Sequence, residues 1–331
     1  ISDNVVNSVS KSLANRGPDT ADVIRLRNGD LRCVLIHSRL SIIDSHSIDA
    51  NQPFYDGLRY TVFNGEIYNY KEIRSLLELQ GLDFTTNSDT EVLARYISHY
   101  QGKYLDKLEG MWSFFSISSN LDDWIASRDI FSEKPLFYVT ESNGIYFSST
   151  PKQLSLFCNK SLKSCLNLPN IDRYLYLGHR GYHLSNECLV NDIKRFPSNA
   201  ICMGDGPYIG KFFCVYSHDS IKEGKTTNTD SLKSDLLTTV QNSFRKDDDV
   251  KAGILLSGGI DSNLINGIWR SQSSNELFSY TIKSDDARYD ESPIVSQIVD
   301  SYRHTHTYVA IDREKSLNVL SSLLEENYDF M

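Results

Sequence analysis

The run Ala252-Gly253-Ile254-Leu255-Leu256-Ser257-Gly258-Gly259-Ile260-Asp261-Ser262 has the residue types needed to hold a phosphate. An apolar stretch leads into two glycines, and a helical pattern follows. Such a turn aims backbone N–H groups and the positive end of a helix dipole at one point. Gly258 and Gly259 carry no Cβ, so an anion can approach the backbone closely. Ser257 and Ser262 add hydroxyl donors. Asp261 would repel a phosphate unless a divalent cation is shared between them, as Mg²⁺ often is. The run is not a Walker motif, because Gly-Lys-Ser/Thr is missing. Its plain alternative is a glycine-rich strand-to-helix turn that binds nothing.

A second set of polar residues is spread over the first half of the chain. Its pieces are Arg16-Gly17-Pro18-Asp19, Ser38-Arg39-Leu40-Ser41-Ile42-Ile43-Asp44, Phe63-Asn64-Gly65-Glu66-Ile67-Tyr68-Asn69 and Ser88-Asp89-Thr90-Glu91. Leu108-Glu109-Gly110-Met111-Trp112 and Arg128-Asp129, continuing to Leu136, complete it. Each piece has a plain structural reading. Arg39 suits a surface ion pair, Asn64-Gly65 a hairpin turn, Asp89 a helix N-cap, and Arg128-Asp129 a structural pair.

Rigid elements must hold these residues. Val5, Val9 and Leu13 recur at helical spacing, and Gly17-Pro18 stops that helix. Strand-like runs follow at Asp22 to Leu26, Arg32 to His37 and Arg59 to Asn64. Helices are expected at Tyr70 to Gln80 and Asp89 to Tyr100. Strands are expected at Trp112 to Ser118 and Trp124 to Ser127, then a hairpin of Leu136 to Thr140 with Ile145 to Ser148. This order predicts a layered α+β domain. The polar stretch from Ser217 to Asp230 reads as a linker. Beyond it a helix from Leu232 to Phe244 precedes strand (Ala252 to Leu256), helix (Ser262 to Arg270), strand (Leu277 to Ile282), helix (Glu291 to Tyr302), strand (Thr307 to Ile311) and helix (Arg313 to Asn327). Alternation of this kind predicts a doubly wound parallel sheet. At roughly 150 residues per domain, 331 residues make about two. The boundary is placed between 217 and 218.

The Ser257–Ser262 run resembles the pyrophosphate loop of ATP pyrophosphatases. The first set resembles, from about Asn15 to Leu154, the glutaminase domain of class II amidotransferases, most closely the asparagine synthetase branch. The resemblance implies an N-terminal-nucleophile αββα sandwich followed by an incomplete α/β ATP pyrophosphatase domain. It implies that Arg39 holds the glutamine carboxylate as a bidentate pair. Glu66 and Asp89 would accept the ammonium, and backbone groups of Leu40 and Ile42 would complete the pocket. Asn64 and Gly65 would form the oxyanion hole. Leu256, Ser257, Gly258, Gly259, Asp261, Ser262 and Ile282 would bind ATP, with Asp261 as a Mg²⁺ ligand.

The family's nucleophile is an N-terminal cysteine whose own amine is the base. None of Cys33, Cys158, Cys165, Cys188, Cys202 and Cys214 matches it, and Cys33 reads as core. With the other pocket residues intact, the expectation is that a short piece before Ile1 is missing. The gene is also expected to extend past Met331, because three layered strands leave a sheet edge and an apolar face uncovered. Asn15 stands where the family usually has His, and Thr150 where it usually has Glu. His304 and His306 alternate along a strand but lack the further ligands zinc needs.

A net charge of −9 argues against a nucleic-acid partner. With 40% hydrophobic and 23% charged residues the chain is ordinary for a globular protein. Its apolar runs are far short of the roughly 18 residues a membrane span needs. No C-x-x-C pair occurs and no signal-like stretch opens the chain, so buried thiols and a cytoplasmic setting are expected. The resemblance implies a ligase that uses glutamine, ATP and aspartate to make asparagine, releasing AMP and pyrophosphate, with a homodimer in some members. Two other readings stand beside it. One is an amidotransferase or cyclase acting on another carboxylate, such as a sugar acid or β-amino acid. The other is a non-catalytic binder of glutamine or nucleotide.

Overall fold

The computed structural model describes residues 1–44, 47–159, 165–178, 186–216, 228–243, 252–272, 277–302 and 305–328. It divides into two compact units: Ile1–Ile221 with Leu323–Met331, and Lys222–Ser322.

The first unit opens with helix α1 (Asp3–Ser12) and the hairpin β1 (Thr20–Asn28) and β2 (Leu31–Arg39). Then come β3 (Phe54–Tyr55), β4 (Arg59–Ile67), α2 (Tyr70–Leu79), α3 (Asp89–Tyr100), β5 (Gly110–Ser118) and β6 (Asp123–Arg128). β7 (Phe137–Glu141), β8 (Gly144–Ser148), α4 (Pro151–Phe157), α5 (Leu168–Leu177), β9 (Lys194–Arg195), β10 (Ala200–Asp205) and β11 (Phe212–Cys214) follow.

A six-stranded sheet in the order β11-β10-β6-β5-β4-β3 is the backbone of this unit. One face packs under α2 and α3, through Phe63, Ile67, Ile73, Leu77, Leu93, Ile97, Trp112 and Phe114. Its other face meets the β1-β2 and β8-β7-β9 sheets through Leu35, Ile117, Trp124, Leu136 and Phe196. Fully burying a side chain of this kind contributes about 1.5–3 kcal/mol. Phe137 and Val139 of β7 turn outward onto Leu154 of α4. Gln153 of α4 donates to the Ser12 hydroxyl at the end of α1, 3.0 Å away. The layers are therefore helices, sheet, sheet, helices, the αββα sandwich expected from the sequence. Thr150 stands at the N-cap position of α4, and its hydroxyl donates to Gln153 Oε1 rather than capping the helix, so its side chain serves this inner network.

The second unit contains α6 (Thr229–Ser243), β12 (Ala252–Leu255), α7 (Ile260–Gln272), β13 (Leu277–Ser284), α8 (Ser292–Tyr302), β14 (Thr305–Ile311) and, up to Ser322, the helix α9 (Arg313–Asn327). The three strands pair in parallel in the order β12-β13-β14. Leu277, Ser279 and Thr281 of β13 are buried, while Tyr280 and Ile282 on the alternate face are exposed. Leu255 of β12, beside Tyr280, is 80% exposed.

Elements with a strong period were legible to within a few residues, and α3 and α9 coincide with the expected spans. Between α4 and β11, the strands β9 and β10 carry too few residues to show a period, and the ten-residue α5 was not read from the sequence. The linker reading falls on residues outside the described ones, apart from 228–230, where α6 begins at Thr229. None of the six cysteines forms a disulfide. Among the described residues no helix is long and apolar enough to cross a membrane.

Candidate amide pocket and phosphate loop

Asn64, Gly65 and Glu66 sit inside β4, not in a hairpin turn, paired with Ser113, Trp112 and Met111 of β5. Gly65 has φ +157°, and a Cβ there would fall on the Met111 carbonyl oxygen and the Trp112 Cα. Gly110 answers it on β5, where a Cβ would strike the Glu66 carbonyl. The two glycines let the strands close at the end that carries Glu66.

Asp89 stands at the start of α3, but Ser88 is the N-cap and accepts the Glu91 N–H. The Asp89 carboxylate instead accepts the N–H of Ile67, at the end of β4, at 3.1 Å. It is only 5% exposed. Burial, and then the charge of Glu66, push its pKa up to about 7 against the pull of the Ile67 bond. Asp89 and the half-buried Glu66 thus bring two acidic side chains close to Asn64-Gly65, near enough for the Glu66 charge to act on Asp89. Gln52, which the sequence reading did not single out, braces this place. Its side chain accepts the Phe63 N–H at 2.6 Å and donates to Thr90 at 3.2 Å.

Asn64 lines a cavity of about 700 Å³ between the six-stranded sheet and β2 and β8, with Cys33, His37, Ser113 and Phe147. Burial pushes the Cys33 thiol up to about 12, so at neutral pH it is not a nucleophile. His37, also unremarked in the sequence, is held down at about 4, by burial first and by the nearby Arg39 charge. Its ring is neutral, and Nδ1 has no hydrogen-bond partner.

Arg39 lines a different cavity, with Asp19, Ser41, Ser47 and Asn51. Its terminal nitrogens donate to the carbonyls of Ile43, Asp44 and Ser47 and to Asn51 Oδ1, at 2.9–3.1 Å. Every Nη hydrogen is therefore spent on the segment after β2, and none forms the open fork that the sequence reading assigned to a carboxylate. That segment is tied to the other cluster by Asp44, which accepts the Asn87 N–H at 2.9 Å, just before α3. Asp19 accepts the Ser41 N–H at 2.7 Å. Leu40 and Ile42, on either side of Ser41, are exposed.

The remaining pieces are scaffold. Arg128 donates to the carbonyls of Ser132, Lys134 and Phe196. Asp129 accepts the N–H groups of Phe131, Glu133 and Lys134. Glu91 accepts from Thr85 and Thr86 and pairs with Arg95.

In the second unit, the Leu256–Gly259 turn joins β12 to α7. Leu256 is buried, its N–H on the Tyr280 carbonyl and its carbonyl on the Thr281 hydroxyl. The hydroxyls of Ser257 and Ser262 lie 2.9 Å apart and clasp the turn. The Gly259 N–H donates to Ser257 Oγ at 3.2 Å. Asn263 Nδ2 holds the carbonyls of Ser257 and Gly259 at 3.1 and 2.6 Å. Asn263 was missed in the sequence, although a polar residue one place after Ser262 on the first helical turn was the available signal. Neither Gly258 nor Gly259 has a left-handed φ. A Cβ at either would meet only the side chain of Ile294 or of Ser257 at 3.2 Å or more. The protein's own packing does not demand these glycines, whereas it does demand Gly65. Asp261 is exposed on the first turn of α7, and Ile282 is exposed on β13. His306 donates to or accepts from Ser279 at 2.8 Å, and His304 lies outside the described residues. Among the described residues no group of three or more His, Cys, Asp or Glu could hold a metal by itself.

The sandwich and its strand-borne polar cluster define the first unit as an amidotransferase-type domain. A family model described as a glutamine amidotransferase domain matches residues 2–206, more than half of the chain. A model described as asparagine synthase matches residues 232–329. The chain belongs to the glutamine-hydrolysing asparagine synthetase family. It is 29% identical over 265 residues to asparagine synthetase [glutamine-hydrolyzing] 1 of Bacillus subtilis, covering 79% of this chain and 40% of that one. It is 26% identical over 332 residues to a putative asparagine synthetase [glutamine-hydrolyzing] 2 of Methanocaldococcus jannaschii, covering 92% and 61%. It is also 30% identical over 279 residues to amidase chry2 of Gibberella zeae, covering 80% and 39%. The chain thus spans between 39% and 61% of the length of these relatives.

Proposed function

We propose that this chain binds glutamine in its first unit and MgATP in its second, as part of a ligase that transfers glutamine's amide nitrogen to the carboxylate of aspartate. The observation that carries the reading is the buried Asp89 carboxylate beside Asn64-Gly65, pushed up by burial and by the charge of the half-buried Glu66. Glutamine's ammonium would lie between the two carboxylates. Its side-chain amide would then point toward Asn64, whose Nδ2, with the Gly65 N–H, would stabilise the oxyanion. Arg39 serves glutamine's carboxylate only if the segment from Ile43 to Asn51 gives up some of its bonds. Its standing role is to hold that segment in place. Amide hydrolysis also needs a nucleophile, and none of the six cysteines is proposed for it.

In the second unit, the clasped turn from Ser257 to Ser262 would receive the phosphates, and Ile282 would lie against the adenine. Asp261 is one carboxylate on a helix turn, which fits a Mg²⁺ that takes its other ligands from phosphate and water. When bound, that ion would neutralise phosphate charge. Aspartate would be activated as its adenylate, pyrophosphate would leave, and ammonia would displace AMP.

The test supplies the protein with ATP, Mg²⁺, aspartate and glutamine labelled with ¹⁵N in the amide, and then with ammonium in place of glutamine. AMP formation that requires aspartate, with ¹⁵N-asparagine as product, is the expected result. No AMP with aspartate ends this reading. AMP formation with a different carboxylate in its place moves the acceptor to the alternative class. Relatives named both as asparagine synthetases and as an amidase are the reason the test also offers other carboxylates.

A further inference from the structure

Glu291 lies just before helix α8 and takes the position of its N-cap. The N–H groups of Ile294 and Val295 both donate to its backbone carbonyl, at 3.1 and 3.0 Å. Glutamate is a poor choice there, since its side chain is too long to cap its own helix well, and Ser, Thr, Asp or Asn are preferred. Asp290 does part of that work, receiving the Ser292 N–H and hydroxyl at 3.1 and 2.9 Å. The Glu291 side chain turns away from its own helix. Its Oε2 accepts the N–H of Gly258, at 3.2 Å. The first turn of α8 is seated against the same glycine, with Ile294 at 3.4 Å from where a Gly258 Cβ would be. A local rule is thus broken at the turn that would receive phosphate, and such exceptions concentrate at functional places.

We propose that Glu291 is an electrostatic gate on the phosphate loop that makes nucleotide binding depend on a divalent cation. The inference rests on the nucleotide reading given above. Gly258 N–H is one of the donors a phosphate oxygen would use. Glu291 already holds it with a negative oxygen, and Asp261 adds a second carboxylate on the first turn of α7. A bare triphosphate must displace one carboxylate and sit near another. A triphosphate that brings a divalent cation carries less charge, and the cation attracts both carboxylates. Charge repulsion at this range falls far more on the free nucleotide than on its Mg²⁺ complex.

The experiment measures ATP affinity of the whole chain by calorimetry, once with Mg²⁺ and once with EDTA, for the wild type and for Glu291→Gln, Glu291→Asp and Glu291→Ala. Glu291 is exposed, so these changes leave folding intact, which circular dichroism checks. Glu291→Gln and Glu291→Ala are expected to bind ATP about tenfold more tightly in EDTA, because an exposed charge at this distance acts on that scale. Their affinity in Mg²⁺ should change much less, so the Mg²⁺ dependence shrinks. Glu291→Asp keeps the charge and should retain most of the wild-type dependence. If the wild type and Glu291→Gln bind equally in EDTA, the gate is wrong and the nucleotide reading stands. If Glu291→Gln loses affinity only in Mg²⁺, Glu291 is a cation ligand and not a gate. If the wild type binds no ATP in either buffer, the nucleotide reading fails and takes this inference with it.

Discussion

The candidate amide pocket and the candidate phosphate loop are assembled in opposite ways. The phosphate loop is one contiguous turn. Its hydroxyl clasp spans six residues, from Ser257 to Ser262, and Asn263 closes it from the next helical position. The amide pocket takes Asn64 and Glu66 from the last paired positions of β4, Asp89 from a helix start across the sheet end, and Gln52 from a connecting segment. The first arrangement is set by local backbone geometry. The second exists only once a strand, a helix and a loop have docked. Glycines mark the difference as well. Gly65 is required by the close approach of β5, while Gly258 and Gly259 are not required by any protein neighbour. A glycine that the fold does not need is the stronger pointer to a ligand.

The contrast predicts that damage stays on its own side. The largest effect is expected from Asp261→Asn. It should lower Mg²⁺-dependent AMP formation by at least about a hundredfold, the scale of a lost charge-stabilising group, while glutamine binding to the first unit is unchanged. Parallel assays of AMP release and glutamine binding check it, and equal loss on both sides would break the division.

Asn64→Ala comes next. Loss of one oxyanion donor should cost about 2.7–4 kcal/mol of barrier in glutamine hydrolysis. Ammonia-dependent AMP formation should persist. Comparing kcat for the glutamine and ammonium reactions reads this directly.

A pH effect of moderate size is expected at Asp89. Its pKa of about 7 lies above the usual carboxylate range, so the ionised form that attracts an ammonium fills in as pH rises through 7. Glutamine affinity should strengthen over that interval and be flat in Asp89→Asn. Stability has the opposite sign. The unfolded chain gives up this proton first, so the contribution of Asp89 to folding falls as pH rises from the ordinary carboxylate value of about 4 toward 7. Denaturant melts at pH 5 and pH 8, wild type against Asp89→Asn, would show the wild type losing more.

The smallest effect is expected from Asn263→Ala. It removes two side-chain bonds to the loop carbonyls, each worth about 0.5–1.5 kcal/mol. The freed carbonyls can turn to water, so about half of that loss should reach the nucleotide, and ATP affinity should weaken by about tenfold or less at 1.4 kcal/mol per factor of ten. A larger loss would mean that Asn263 touches the nucleotide itself.

The phosphate loop was legible because strand, turn and helix succeed one another without a break, and short-range pattern suffices to read them. Asn64-Gly65 was readable as a motif but not as a place, since the same dipeptide suits a hairpin turn. Only the pairing with Ser113 and Trp112 puts it inside a strand. Asp89 looked equally good as an N-cap until Ser88 took that role. Arg39 was assigned to a ligand from the resemblance and its bidentate fork, and in the structure its guanidinium is spent on four protein acceptors. Gln52 and His37 gave no pattern at all. Their importance lies in what they touch or fail to touch, which no spacing reports.

By itself the sequence determined the succession of elements, the layered first unit and the parallel second one. Hydrophobic periodicity and turn residues act over a few positions, and they decide local structure before any docking. The tertiary structure alone decided which polar residues meet. It joined Asp89 to the end of β4, kept Arg39 in a cavity apart from Asn64, and brought Glu291 onto Gly258. Those meetings depend on strand register and on where each helix lands, and both are set by packing between residues far apart in the chain.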